Sequence, residues 1–87
     1  MTTGIYNYDE LDYNIPTRDG ESSLYRYFIK EAEETVSIPH LLNRIPRRVF
    51  IVWADNPIMQ PEIVKLDRQK AILIFFESYT NIVLKFE

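Results

Sequence analysis

Ile38-Pro39-His40-Leu41-Leu42-Asn43-Arg44-Ile45-Pro46-Arg47-Arg48-Val49-Phe50-Ile51-Val52-Trp53 is the stretch whose reading decides the fold. It passes from a turn broken by two prolines into an unbroken apolar run from Val49 to Trp53. That run is far too short to span a membrane. Its β-branched and aromatic residues favour a strand over a helix. Side chains alternate across a strand, so this run presents apolar groups on both faces. Both faces therefore need cover. A chain of 87 residues forms one domain and has little mass to supply it. The expectation is that another subunit provides part of the cover.

Short strand signals recur on either side. Leu24 to Lys30 reads as a strand with Tyr25, Tyr27 and Ile29 on one face, followed by the polar connection Glu31-Ala32-Glu33-Glu34. Thr35 to Ile38 is extended, because Pro39 moves Ile38 away from helical geometry. Asp55-Asn56-Pro57 is a turn, and Pro57 and Pro61 forbid a continuous strand between them. Glu62 to Leu66 is a strand with Val64 and Leu66 on one face. Asp67 to Gln69 reverses the chain, Ala71 to Phe76 is a second apolar run, and Glu77 to Asn81 turns again. Ile82, Leu84 and Phe86 then alternate with Val83, Lys85 and Glu87, which predicts a half-buried strand with one polar-leaning face. Regularly spaced short strands indicate an all-β fold, a small antiparallel β-sandwich or partly open barrel, with successive strands as the simplest neighbours.

Residues 1–23 differ from the rest and predict an N-terminal arm ahead of a β domain at 24–87. They hold both glycines, Gly4 and Gly20, and are acidic, with Tyr6, Tyr8 and Tyr13 spaced along them. Two readings stand: a loosely held leader, or an extended arm that docks its tyrosines on a neighbour. Nothing in this N-terminus reads as a secretory signal or a membrane anchor, which predicts folding in the cytoplasm.

The chemistry-bearing residues are few. Cysteine is absent, which excludes disulfides and thiolate sites. His40 is the sole histidine, so a nucleophile–base pair or a transition-metal site has little to draw on. Its expected role is to hydrogen-bond main-chain groups of its turn. No glycine follows position 20, which removes a phosphate-cradling loop. Asp9, Glu10 and Asp12 read as a solvated acidic patch. No cofactor, metal or catalytic group is predicted. Arg44, Arg47 and Arg48 form the one basic cluster, with Phe50 and Trp53 nearby. Basic residues beside aromatics suit single-stranded nucleic acid. Against that, the formal net charge is -3. In strand geometry Arg47 and Arg48 would also point to opposite faces, as would Phe50 and Trp53.

The pattern carried by His40, Leu42, Arg44 and Pro46, followed by the strand from Val49, resembles a motif of small structural proteins of tailed bacteriophages. The strands at 62–66, 71–76 and 82–86 fit the same layout, so the resemblance covers the C-terminal fifty residues or so. In those proteins glycine usually follows the histidine and again precedes the arginine; here those positions are Leu41 and Asn43. The resemblance implies a compact, non-catalytic β protein of the neck, tail or capsid surface. It would be made in the host cytoplasm and act in the virion by self-association and by packing on portal, tail, fibre or capsid proteins. The residues expected to face partners are Tyr6, Tyr8, Tyr13, Arg47, Arg48, Phe50 and Trp53. The alternative is a small β-barrel protein that binds single-stranded nucleic acid.

Overall fold

The computed structural model describes residues 8–29 and 34–87. Among the described residues, a 3-10 turn at Tyr8–Glu10 is followed by seven strands: β1 (Thr17–Asp19), β2 (Ser22–Ile29), β3 (Glu34–Pro39), β4 (Val49–Ala54), β5 (Glu62–Leu66), β6 (Lys70–Phe75) and β7 (Tyr79–Phe86). They form two antiparallel sheets, one ordered β1-β2-β7-β4 and the other β3-β6-β5. The all-β class and the small sandwich are as the strand spacing predicts. No helix among the described residues is long and apolar enough to cross a membrane.

The order of strands departs from the simple meander. Only β1–β2 and β5–β6 are both consecutive and paired. β7 enters last yet lies in the middle of the larger sheet, flanked by β2 and β4. Ile82, Val83, Leu84 and Phe86 are therefore all buried, where alternation had predicted a polar-leaning face. A strand placed centrally is covered on both faces whatever its sequence parity. β4, whose two apolar faces were expected to need cover, is an edge strand, and only Ile51 in it is buried.

Between the sheets lies the main core. Tyr25, Ile51, Tyr79, Ile82, Leu84 and Phe86 come from the first sheet, and Val36, Ile38, Ala71, Leu73 and Phe75 from the second. Leu42 joins them from the turn between β3 and β4. Burial raises the Tyr25 hydroxyl pKa above 10.0, with a further push from the neighbouring Tyr27.

A second cluster closes the outer face of the larger sheet. Leu11, Leu24 and Val83 are buried there, with Tyr8, Val52 and Trp53 packed against them. The described part of the leader, from Tyr8 onward, thus lies along its own sheet. Arg26 holds it there: its Nη1 donates to the Leu11 carbonyl at 3.0 Å and its guanidinium sits 4.4 Å above the Tyr13 ring. The chain from Thr17 onward already belongs to the sheet, through Thr17 opposite Leu24. The boundary expected at residue 23 is not where the strands begin. The outer face of β4, expected to need a foreign subunit, is covered in part by this segment.

Two bulges reset side-chain parity. In β4 the register shifts between Ile51 and Trp53, so Phe50 faces Lys85 and Trp53 faces Val83. Lys85 and Val83 share one face of β7, so Phe50 and Trp53 share a face as well, against the prediction from unbroken alternation. In β5 a shift between Ile63 and Lys65 leaves Val64 half exposed while Leu66 packs on the core.

Candidate functional site

The proline-bracketed turn is built around His40. As the chain leaves β3, the His40 main-chain N–H donates to the Gln69 carbonyl at 3.2 Å. The ring is fully buried and tilted 5.7 Å from Phe86. Leu42 N–H donates to its Nδ1 at 3.2 Å, and Nε2 lies 2.8 Å from the Asp67 carbonyl. An accepting Nδ1 leaves the proton on Nε2, which donates: this is the neutral tautomer. Both ring nitrogens are committed to main chain, so the histidine joins its own turn to the β5–β6 turn. That second turn is fixed by Asp67, whose Oδ1 accepts the Gln69 and Lys70 N–H groups, each at 2.8 Å. Those bonds, Lys70 first, hold the Asp67 carboxyl below the ordinary 3.8; the charges of Lys65 and Lys70 add to the effect.

The next residues wind tightly. Leu41 and Asn43 have φ of 61° and 57°, in the left-handed region that glycine occupies without strain. The winding turns Leu42 into the core and leaves Leu41 exposed. Arg44 then reaches back. Its Nη1 donates to the Glu87 carbonyl at 3.1 Å and its Nη2 to the Glu21 carbonyl at 3.0 Å. Pro46 is buried. Beyond it, Arg47 N–H donates to the Glu87 carbonyl and Glu87 N–H to the Arg48 carbonyl, both at 2.9 Å, which extends the β4–β7 ladder.

At this end of the sandwich lies an open cavity of about 520 Å³ lined by Arg18, Glu21, Ser22, Leu42, Arg44, Arg47, Arg48 and Glu87. Arg18 donates to the Leu41 carbonyl at 3.1 Å and to the Gly20 carbonyl at 2.8 Å. Arg48 pairs with the Glu87 carboxylate at 3.2 Å, which also meets Lys85 at 3.5 Å. Arg48 stacks 4.6 Å over Phe50. Arg47 and Arg48 both bond Glu87 through main chain, two residues against one, which interrupts regular alternation, and both line this cavity, contrary to the expectation that they diverge.

Of the residues singled out by sequence, Leu42, Arg44, Arg47 and Arg48 line this cavity, with Phe50 beneath Arg48, while His40 and Pro46 are buried within the turn. Tyr8 and Trp53, expected at a partner surface, pack in part on the chain's own second cluster. Tyr13 is half exposed beside Arg26. Tyr6 lies outside the described residues. Glu10 and Asp12 are exposed. Sequence reading missed Arg18, Glu21, Asp67 and Glu87 as members of this end. No local pattern joins them to the turn, because only folding brings such distant positions together.

No family model matches the chain, and no curated protein or solved structure matches it either.

Proposed function

We propose that this protein is a non-catalytic structural component of a tailed-phage virion, at the neck, tail or capsid surface, acting by self-association and by packing on other virion proteins. One observation carries the reading. Leu41 and Asn43 adopt left-handed backbone where the phage motif has glycine. Non-glycine residues seldom adopt that geometry, and a short sequence likeness does not by itself require it. The turn around His40 supports the absence of catalysis in this reading, because the ring is buried and both nitrogens face main chain.

The test is assembly. Purified full-length protein is mixed with portal, tail, fibre and capsid proteins encoded beside it, and mass is read by light scattering. Oligomers, or a monomer that joins one of these partners, are expected. A monodisperse monomer indifferent to all of them, with metabolic genes as neighbours, would overturn the reading.

The convergence of Arg18, Arg44, Arg47 and Arg48 on one cavity favours a second reading, a module binding single-stranded nucleic acid. That reading requires binding that weakens steeply with salt and falls in Arg47→Ala and Arg48→Ala.

A further inference from the structure

We infer that β5 pairs edge to edge with β5 of a second copy, antiparallel about a two-fold axis, so that Glu62 of each copy faces Lys65 of the other. This rests on the reading of the protein as a self-associating assembly component and names the surface by which it does so.

The first argument is the open edge. β5 borders β6 alone. Glu62, Ile63, Val64 and Lys65 are all exposed, Ile63 at 44% and Val64 at 51%. Ile58 and Met59 are exposed as well, so four large apolar side chains meet water within residues 58–64. A strand edge with exposed apolar side chains is a template for another strand. The other edges are poorer templates. β4 is occupied by the Gln60 amide, which takes both main-chain groups of Ile51. β1 has only three residues. β3 buries Val36 and Ile38 and ends on Pro39, which donates no N–H.

The second argument is the order of charges. From Glu62 to Lys65 the strand runs acid, apolar, apolar, base. Laid antiparallel on a copy of itself, that order is its own complement. Glu62 meets Lys65, Ile63 meets Val64, and each contact recurs across the axis. The bulge in β5 makes the match possible. Residues three apart on a regular strand point to opposite faces. Here Glu62 lies opposite Ile74 and Lys65 opposite Ile72, and those isoleucines share one face of β6. Both charges therefore stand on the same face of the sheet, where a directly opposed residue reaches them. Among the described residues neither forms an ion pair, and Lys65 acts on Asp67 through its field alone.

The same two charges select the occupant. A parallel copy sets glutamate beside glutamate and lysine beside lysine. An antiparallel copy slid by one residue sets both charges against apolar or proline positions. A foreign strand fits only by carrying an acid and a base at this spacing, which every copy of this chain supplies.

The experiment follows the mass of the full-length protein by sedimentation equilibrium. The parent is expected to dimerise. Glu62→Lys and Lys65→Glu, each alone, set like charges at both symmetric contacts and are expected to weaken the dimer by at least about tenfold. An equimolar mixture of the two variants restores opposite charges at both contacts, and its dimer is expected to regain the parent's strength. The double variant, Glu62→Lys with Lys65→Glu, is expected to regain it too. Both positions are exposed, and an unchanged circular dichroism spectrum shows that each variant is folded. The inference is overturned by a monomeric parent, by single variants that dimerise as the parent does, or by single variants whose mixture fails to recover. A monomeric parent that joins a portal, tail, fibre or capsid protein would sink the pairing alone. Recovery in the mixture, in a protein that joins no such component, would sink the functional reading and leave the pairing standing.

Discussion

Leu41 is the residue at which sequence and backbone disagree most. A leucine with φ of 61° carries strain of about 1–2 kcal/mol, because its Cβ approaches a carbonyl oxygen. Its side chain is half exposed, so little packing offsets that cost. Leu41→Gly is therefore expected to stabilise the protein by about 0.5–1 kcal/mol, after the gain in unfolded-chain entropy, in urea unfolding. Asn43→Gly gains less, because asparagine tolerates this region better. A loss of stability in Leu41→Gly would show that the exposed leucine packs more than it strains. Asp67 sets the acid limit of the same region. Two main-chain N–H groups favour its ionised form and lower its pKa. The sign follows: the contribution is present above the unfolded carboxylate value and is lost as the pH falls through the lowered one. Thermal melts taken into the acid range should fall less steeply for Asp67→Ala than for the parent protein.

At the scale of elements, the edges matter most. β4 is an edge strand, and an unpaired edge invites another chain. Gln60 blocks it. Its Oε1 accepts the Ile51 N–H at 2.7 Å and its Nε2 donates to the Ile51 carbonyl at 3.3 Å, so one side-chain amide stands in for a neighbouring strand. The linker that presents Gln60 is itself fastened. Tyr79 Oη accepts the Met59 N–H at 3.0 Å, and Asn56 Nδ2 donates to the Ser78 carbonyl at 2.8 Å. Gln60→Ala removes two partly buried bonds and frees the edge. It is expected to cost about 1–3 kcal/mol and to shift the protein toward larger species in size-exclusion chromatography. Unchanged elution with full stability would mean that the amide guards nothing. The linker was legible as a turn from Pro57 and Pro61, but its role was not. A glutamine reads as solvent-exposed until a strand edge is placed beside it.

For the whole molecule, the consequence is that the leader from Tyr8 onward is part of the fold. Leu11 seals the outer face of the larger sheet over Leu24 and Val83, with Trp53 at its margin. Leu11→Ala is expected to cost about 2–3 kcal/mol as a partly collapsing cavity. Trp53 is the single tryptophan and reports the event directly. Its emission should move to longer wavelength as water reaches the second cluster. An unchanged spectrum and melting point would show that the segment rests on the sheet without sealing it.

What the amino-acid order determined by itself was local. The runs read at 24–30, 49–53, 62–66, 71–76 and 82–86 carry β-favouring residues bounded by turn formers, and each largely coincides with a strand over its described residues, although β7 begins at Tyr79, inside the turn expected at 77–81. The prolines at 39 and 46 bracketed a real turn, and the single histidine sits at its centre. What only the tertiary structure decided was everything that depends on a distant neighbour. It placed the last strand in the middle of a sheet and folded the segment around Leu11 over the outer face. It let bulges turn Phe50 and Trp53 to one side, and it gathered Arg18, Arg44, Arg47 and Arg48 around one cavity. The physical reason is that strand propensity is a property of a few adjacent residues, whereas sheet order, burial and charge compensation arise from contacts between residues far apart in the chain.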